Sequence, residues 1–414
     1  MEEDPGKLIN SIWSQELDLP PSCVEFCPAH PSYFLVGTYN LQKDDAEPQP
    51  EKETKEGDDE SSQPAKPKKT QSRNGSILVF QLQDNNNIVP VQTEPQPSAL
   101  LDLHFNPNER FQDICATVSS TATLAIFRFS PGPGEDKPLK HLHTMDIEPM
   151  SGGEISASEG SEILFLSVCW HPSRYDMLAV TTNTGYVYLV HLPAWDRGWK
   201  LHAEPAITHT LEAWTVNLSS NLGATDSSDD VSFRIFSGGD DSKLRYGTVT
   251  WNPADDIPTE TISAVEARGH DAGVTAILPL FVQEDGSEVL VTGSYDENIR
   301  LFSLAPYGRP KNLVEMGLGG GVWRLKLIDL DQTPNEKYRW RARILASCMH
   351  TGSRVVDVLQ AADGEHHIQV LGRFEDHKSM NYGSDFYPAR KDKLTVVSTS
   401  FYDRLLCLWQ LELP

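Results

Sequence analysis

No window of the 414-residue chain approaches roughly eighteen consecutive apolar residues, and its start, MEEDPGKLIN, has no basic stretch leading into an apolar one. A membrane-spanning helix and a secretory leader are therefore not expected, and the sequence reads as cytoplasmic. Basic residues are few: 35 Lys and Arg stand against 59 Asp and Glu, a formal charge of −24. That surplus repels phosphate backbones and anionic lipid, which argues against nucleic acid and membranes as partners. It suits solubility, or a basic protein partner. The six cysteines include no Cys-x-x-Cys pair, and Cys23 and Cys27 lie too far apart along an extended strand to bridge. A zinc ribbon and a disulfide framework are thereby excluded, and reduced, buried thiols are expected.

Signatures of catalysis are also missing. There is no Gly-x-Ser-x-Gly elbow, no His-Glu-x-x-His and no carboxylate-rich metal spacing. The glycines of GLGGG at 317–321 lead into a strand rather than a helix, which does not fit a phosphate loop. No cofactor is expected, and a monomer is.

What the chain does have is a repeat. Hydrophobic residues make up 39% and aromatics 9%, enough for a packed core. The clearest unit runs from Gly269 to Leu304: GHDAGVTAILPL, a spacer, then VLVTGSYDENIRLFSL. It holds a Gly-His pair, a strand, a second strand, a turn at Asp296 and a third strand. This is the WD-repeat pattern, with Phe302 at the usual tryptophan position. A second clear copy ends the chain, DHKSMNYGSDFYP followed by LTVVSTSFYDRLLCLWQL, and keeps Trp409. Weaker copies occupy 22–39 with 75–82, 98–129, 163–190, 209–246 and 318–358, and proline closes the first strand at Pro28, Pro107, Pro172 and Pro388. Seven units of three or four strands bury their faces by radial stacking, so the expected fold is all-β, a seven-bladed WD-repeat β-propeller in a single domain spanning 1–414. Residues 10–19 (NSIWSQELDL) are expected to close the ring as the outer strand of the last blade.

Three segments fall outside the repeats. Residues 42–73 are charged, rich in Pro, Ser and Gln, and almost free of large apolar residues, so they are expected to be a disordered acidic insertion in the first blade. Residues 130–161 are expected to form a partly disordered inter-blade insertion, and 219–230 a shorter one.

In each unit the start of the first strand and the turn between the second and third share an edge. One face of the disc therefore gathers His270 with Tyr295 and Asp296, and His377 with Ser379, Tyr382, Tyr402 and Asp403. Glu212, Trp214, Trp323 and Arg324 begin first strands there. In WD repeats such a histidine and aspartate commonly fix the turn within a blade, and His270 with Asp296 fits that role. His377 with Asp403 differs because Ser379 follows two residues on.

These motifs carry a resemblance. SCVEFCP with FLVGTYNL, LEAWTV, SGGDDSKLR, TGSYDENIRLF, GGGVWRLKL, HKSMNYGSDF and STSFYDRLLCLW resemble the diphthine methylesterase family, also called diphthine methyltransferase, the WD-repeat proteins of diphthamide biosynthesis. The match spans 22 to 411 and omits the second unit. The resemblance implies hydrolysis of a methyl ester built on one histidine of elongation factor 2, yielding diphthine, with that factor as protein partner. It brings no catalytic set, so the roles are assigned on chemical grounds. His377 is expected as general base, Ser379 as nucleophile or water-orienting hydroxyl, and Asp403 as the group that orients the imidazole. Trp323, Tyr382, Tyr402 and Trp214, with Glu212, are expected to cage the trimethylammonium beside the ester. The competing expectation is a non-catalytic WD adaptor for protein complex assembly, in membrane-protein recycling or a ubiquitin ligase.

Overall fold

The computed structural model describes residues 6–41, 73–146, 162–191, 200–202, 204–220, 231–252, 257–306, 309–388 and 393–413. Within them there is no helix; strands form seven small sheets arranged as the seven blades of a β-propeller. Each blade is an antiparallel meander whose strands are named a to d from the central channel outward. The a strands are Pro21–Phe26, Leu100–Phe105, Phe165–Trp170, Ala213–Leu218, Val274–Val282, Arg324–Asp331 and Gly383–Tyr387 for blades 1 to 7. All four prolines noted in the sequence follow the end of an a strand.

The reason for the ring is visible in the b strands. Ile114–Ser119 and Met177–Thr182 are buried at every position, because each blade is covered on both faces by its neighbours. The apolar residues accordingly gather in seven clusters, one between each pair of adjacent blades. Blade 5 meets blade 6 through Val291, Leu301, Ile344 and Val356. Blade 7 meets blade 1 through Val397 and Leu408 against Phe34 and Phe80.

The last interface forms only if the chain ends meet. Ser11–Glu16 pairs antiparallel with Leu405–Glu412, Ser11 opposite Trp409 and Glu16 opposite Leu405, as the expected outer strand of blade 7. A second strand was not foreseen: Lys7–Ile9 runs parallel to His366–Phe374 and adds a fifth strand to blade 6. The N-terminal segment thus fastens two blades. Gly372 lies at this contact, where a Cβ would sit 2.8 Å from Ile9 Cδ1 and 2.9 Å from Leu411 Cδ2.

Of the insertion expected at 42–73, all but Arg73 lies outside the described residues, and Arg73 opens strand c of blade 1, Arg73–Leu82. Of 130–161, Leu139–Asp146 is strand d of blade 2 and 147–161 lies outside. Residues 221–230 of the third segment lie outside as well. The six cysteines are all unpaired, and all but Cys169 are buried.

Candidate functional site

The loop leading into strand a of blade 7 carries His377 and Ser379, and the b–c turn carries Asp403. His377 Nε2 lies 2.8 Å from Ser398 Oγ, which accepts the Trp409 indole N–H at 3.0 Å. Phe374 stacks on Trp409 and meets the imidazole edge-on at 5.1 Å. Burial in this apolar corner pulls the His377 pKa down to about 4, although Asp403 and Asp376 push the other way. Two other blades repeat the arrangement. His209 Nε2 lies 3.0 Å from Ser237 Oγ and His270 Nε2 lies 2.8 Å from Thr292 Oγ1. Where Phe302 replaces the tryptophan, it stacks on His270 at 5.4 Å.

The turn aspartate acts through the backbone. Asp403 accepts the Lys378 N–H at 3.0 Å, as Asp296 accepts that of Asp271 and Asp241 that of Thr210. Asp403 also accepts the Ser379 hydroxyl at 2.6 Å and the Ser400 hydroxyl. Ser379 Oγ in turn accepts the Tyr402 N–H at 2.9 Å. Ser379 and Asp403 are therefore in contact. The expected hydrogen bond from the His377 imidazole to Asp403 is not formed. The ring points toward Ser398, its Nδ1 lies 4.0 Å from the Cys407 sulfur, and the Asp403 oxygens are taken by the loop.

The aromatic residues do come together at the mouth. Trp323 meets Trp214 at 5.6 Å, Tyr295 at 5.8 Å and Tyr382 at 5.0 Å between ring centroids. Phe401 continues the run, 5.5 Å from Tyr382 and 5.0 Å from Tyr402, the latter 70% exposed. Tyr295, though noted at this edge, and Phe401 were not among the expected cage residues. Gly273 allows the close fit, because a Cβ there would lie 2.8 Å from Asp240 Oδ1 and 3.0 Å from the Tyr295 ring. Asp240 is held by the Trp214 indole N–H at 3.0 Å, and its backbone N–H reaches the Glu212 carbonyl at 2.8 Å. The mouth is electronegative: the Tyr295 phenol is pushed well above its ordinary pKa by burial and then by Tyr382, Asp240 and Glu212.

Below the mouth the channel holds charges of which sequence reasoning noted only Arg324. Glu25, Asp102, His104, Arg324, Lys326 and Asp385 all sit on a strands, in SCVEF, LLDLHF, WRLKL and SDFY. Arg324 Nη2 crosses from blade 6 to Asp102 Oδ1 of blade 2 at 2.9 Å, and Lys326 Nζ reaches Asp385 Oδ2 at 2.7 Å. His104 lies between Glu25 Oε2 at 2.5 Å and Asp102 Oδ1 at 3.3 Å. Burial opposes the charge of His104, but the two carboxylates outweigh it and raise the pKa to about 10. Asp102, despite burial, is held far below the usual carboxylate range by Arg324 and His104. Asp385 is raised, since burial outweighs Lys326. The available signal was charged residues at alternate positions of otherwise apolar strands. Burial pushes the thiol of Cys23, beside this cluster, up to about 12, which disfavours the thiolate.

No protein-family model matches the chain. Curated relatives do. The chain is 26% identical to the diphthine methyltransferase of Saccharomyces cerevisiae, with 94% of this chain and 95% of that protein aligned. It is 25% identical to the diphthine methyltransferase of Schizosaccharomyces pombe, over 95% of each, and 24% identical to that of Homo sapiens, over 91% and 74%. The resemblance read from blade motifs thus extends over nearly the whole chain, and the proteins it is similar to are diphthine methyltransferases.

Proposed function

We propose that the chain acts in diphthamide biosynthesis as a carboxylic ester hydrolase, removing the methyl ester of diphthine on a histidine of elongation factor 2 in the cytoplasm. The observation that supports this most is the run of rings Trp214, Tyr295, Trp323, Tyr382, Phe401 and Tyr402 at one electronegative mouth. A quaternary ammonium offers no hydrogen to donate, so it is recognised by π faces and nearby carboxylates. Trp323 and Trp214 form the floor in this reading, Tyr382 and Tyr402 a wall, and Asp240 and Glu212 the negative field. The ester adjoining the trimethylammonium is then attacked by water, methanol leaves, and a carboxylate remains.

Ser379 and Asp403 lie next to this mouth through Tyr402, and we assign them the orientation of the attacking water. His377, which takes the place His209 and His270 take in other blades, we assign to the scaffold. The test is multiple-turnover incubation with elongation factor 2 carrying the methyl-ester intermediate, read as loss of the mass of one methylene. Many demethylated molecules per molecule of protein are expected. A second reading, a non-catalytic adaptor using the mouth to grip a partner, is favoured by the fact that Ser379 and Asp403 are fully engaged in fixing a turn. Binding of the modified factor without any demethylation would establish that reading in place of the first.

A further inference from the structure

The ionic cluster under the mouth is built in a way that closing a channel does not require. A plug of apolar side chains would close it at lower desolvation cost than buried charges. Instead, Arg324 and Lys326 project from alternate positions of one strand into the channel, each with donors to spare. Among the described residues Arg324 has one carboxylate partner, Asp102, for its five N–H groups, and its side chain remains 23% exposed. Lys326 is bonded to Asp385, has Glu25 at 3.9 Å, and is 37% exposed. Their chains line a cavity of about 210 Å³ that Tyr382 also lines, and Arg324 and His104 are shared with a second cavity of about 210 Å³. Tyr382 is in ring contact with Trp323, the residue before Arg324. The aromatic mouth and the cationic cavity are therefore contiguous.

We propose that Arg324 and Lys326 form the second half of the substrate site and hold the carboxyl end of the side chain whose trimethylammonium lies in the mouth. This rests on the hydrolase reading above. In the ester, their N–H groups donate to the carbonyl oxygen. As water adds to the carbonyl carbon, the same donors stabilise the oxyanion. When the C–OCH3 bond breaks, methanol leaves with a proton from the water, the remaining proton passes to solvent, and the product carboxylate pairs with Arg324. Asp102 and His104 are positioning residues: Asp102, 1% exposed and bonded to Ser167 and Val168, fixes the guanidinium, and His104 braces Asp102 from the other side. The specificity that follows is for zwitterions in which a quaternary ammonium and a carboxyl share one carbon.

The experiment uses two small probes on the full chain, with binding followed by NMR titration. Tetramethylammonium presents the cation alone, and betaine presents the cation with a carboxylate on the adjoining carbon. Betaine is expected to bind about tenfold more tightly than tetramethylammonium, the scale of a charge-assisted hydrogen bond. Arg324→Gln should erase that preference while leaving tetramethylammonium affinity unchanged, and Arg324→Lys should restore part of it. Tetramethylammonium binding doubles as a check that each variant is folded, and Lys326→Gln, which should lower the preference by a smaller factor, supplies a second line if Arg324→Gln fails to fold. Equal affinity for the two probes, or a preference that survives both Gln variants, overturns the carboxyl site and leaves the cage intact. Failure of both probes to bind wild-type protein overturns the cage, and this inference with it; binding of tetramethylammonium without betaine overturns the carboxyl site alone.

Discussion

His377 in blade 7 and His104 in blade 2 sit in one ring, and the protein holds them in opposite charge states. His377 faces a hydroxyl behind two aromatic rings, and burial keeps it neutral, with a pKa near 4. His104 stands between two carboxylates and is cationic, with a pKa near 10. The difference lies in what each position belongs to. His377 is placed by the repeat and serves its blade, as His209 and His270 do. His104 is placed on an inner strand, where the repeat demands nothing of the channel-facing residue, and so its neighbours are free to be functional. Residues shared by the blades build the scaffold; residues that break the sameness of the blades line the mouth and channel that we propose as the site.

Removing the closure on which both regions depend should have the largest effect. Deleting residues 1–20 takes one strand from blade 7 and one from blade 6, and uncovers the cluster around Val355, Phe374 and Trp409. The loss is expected to be of the order of a domain's whole stability, roughly 5–15 kcal/mol, so no cooperative melting should remain. An unchanged melting temperature would show that the ring does not close this way.

A pair of substitutions sharpens the contrast at the level of single residues. His377→Gln should cost roughly 1–3 kcal/mol of stability, because Ser398 loses a buried partner, with turnover per folded molecule near that of wild type. Trp323→Ala should do the reverse, weakening binding of the modified factor by about 1–2 kcal/mol while the melting temperature moves less. Trp323→Phe should recover part of the binding. A folded His377→Gln whose rate falls by roughly two to four orders of magnitude would instead make His377 the general base and dissolve the distinction.

The two histidines also predict opposite pH limbs. His377, and likewise His270 and His171, have folded pKa values near 4, below the ordinary value of about 6.5. The unfolded chain therefore takes up protons first, and stability falls as pH drops from about 6.5 toward 4, by up to about 3 kcal/mol for each such group. His104, with its folded value raised, stabilises the fold fully below about pH 6.5 and loses that contribution as pH rises toward 10. Melting temperature against pH should thus fall on both sides, with His377→Gln flattening the acid limb and His104→Gln only the alkaline one. If His104→Gln leaves the alkaline limb unchanged, the Glu25–His104–Asp102 bridge does not carry charge.

How much of this was legible in the sequence follows the same division. A histidine before the first strand (His209, His270, His377), the turn aspartate and the strand spacing recur, so the seven blades, the closure by 10–19 and the shared mouth of Trp214, Trp323, Tyr382 and Tyr402 could be read from one chain. The channel could not. Glu25 and Arg324 lie far apart in sequence, and only ring closure brings blades 1 and 2 opposite blade 6. The arrangement around His377 could not be read for a related reason. The sequence placed Asp403 on the imidazole, but Ser379 and His377 point into different hydrogen-bond networks, and side-chain direction within a loop is set by packing rather than by spacing. The parallel strand at Lys7–Ile9 is too short to leave any periodic pattern at all.

The smallest effect should come from the acidic segment inserted in blade 1, which belongs to neither region. Its two ends are already held beside each other: Asn40 and Leu41 pair with Asn74 and Arg73, and the Asn40 amide donates to Asn74 Oδ1 at 2.9 Å. Closure of the segment therefore adds little to the order of strands b and c, whose register from Tyr33 to Gly37 against Ile77 to Gln81 is set by buried side chains on both faces. Replacing 43–71 by a short turn should raise stability slightly, by about 1 kcal/mol, since a shorter loop is easier to close. Turnover and betaine binding should stay within about twofold of wild type on the same argument, because the mouth and channel draw on other residues. Thermal melting and the demethylation assay on the shortened chain measure both. A large fall in turnover with unchanged melting would mean that the segment is part of the docking surface for the basic protein partner that the charge of the chain invites.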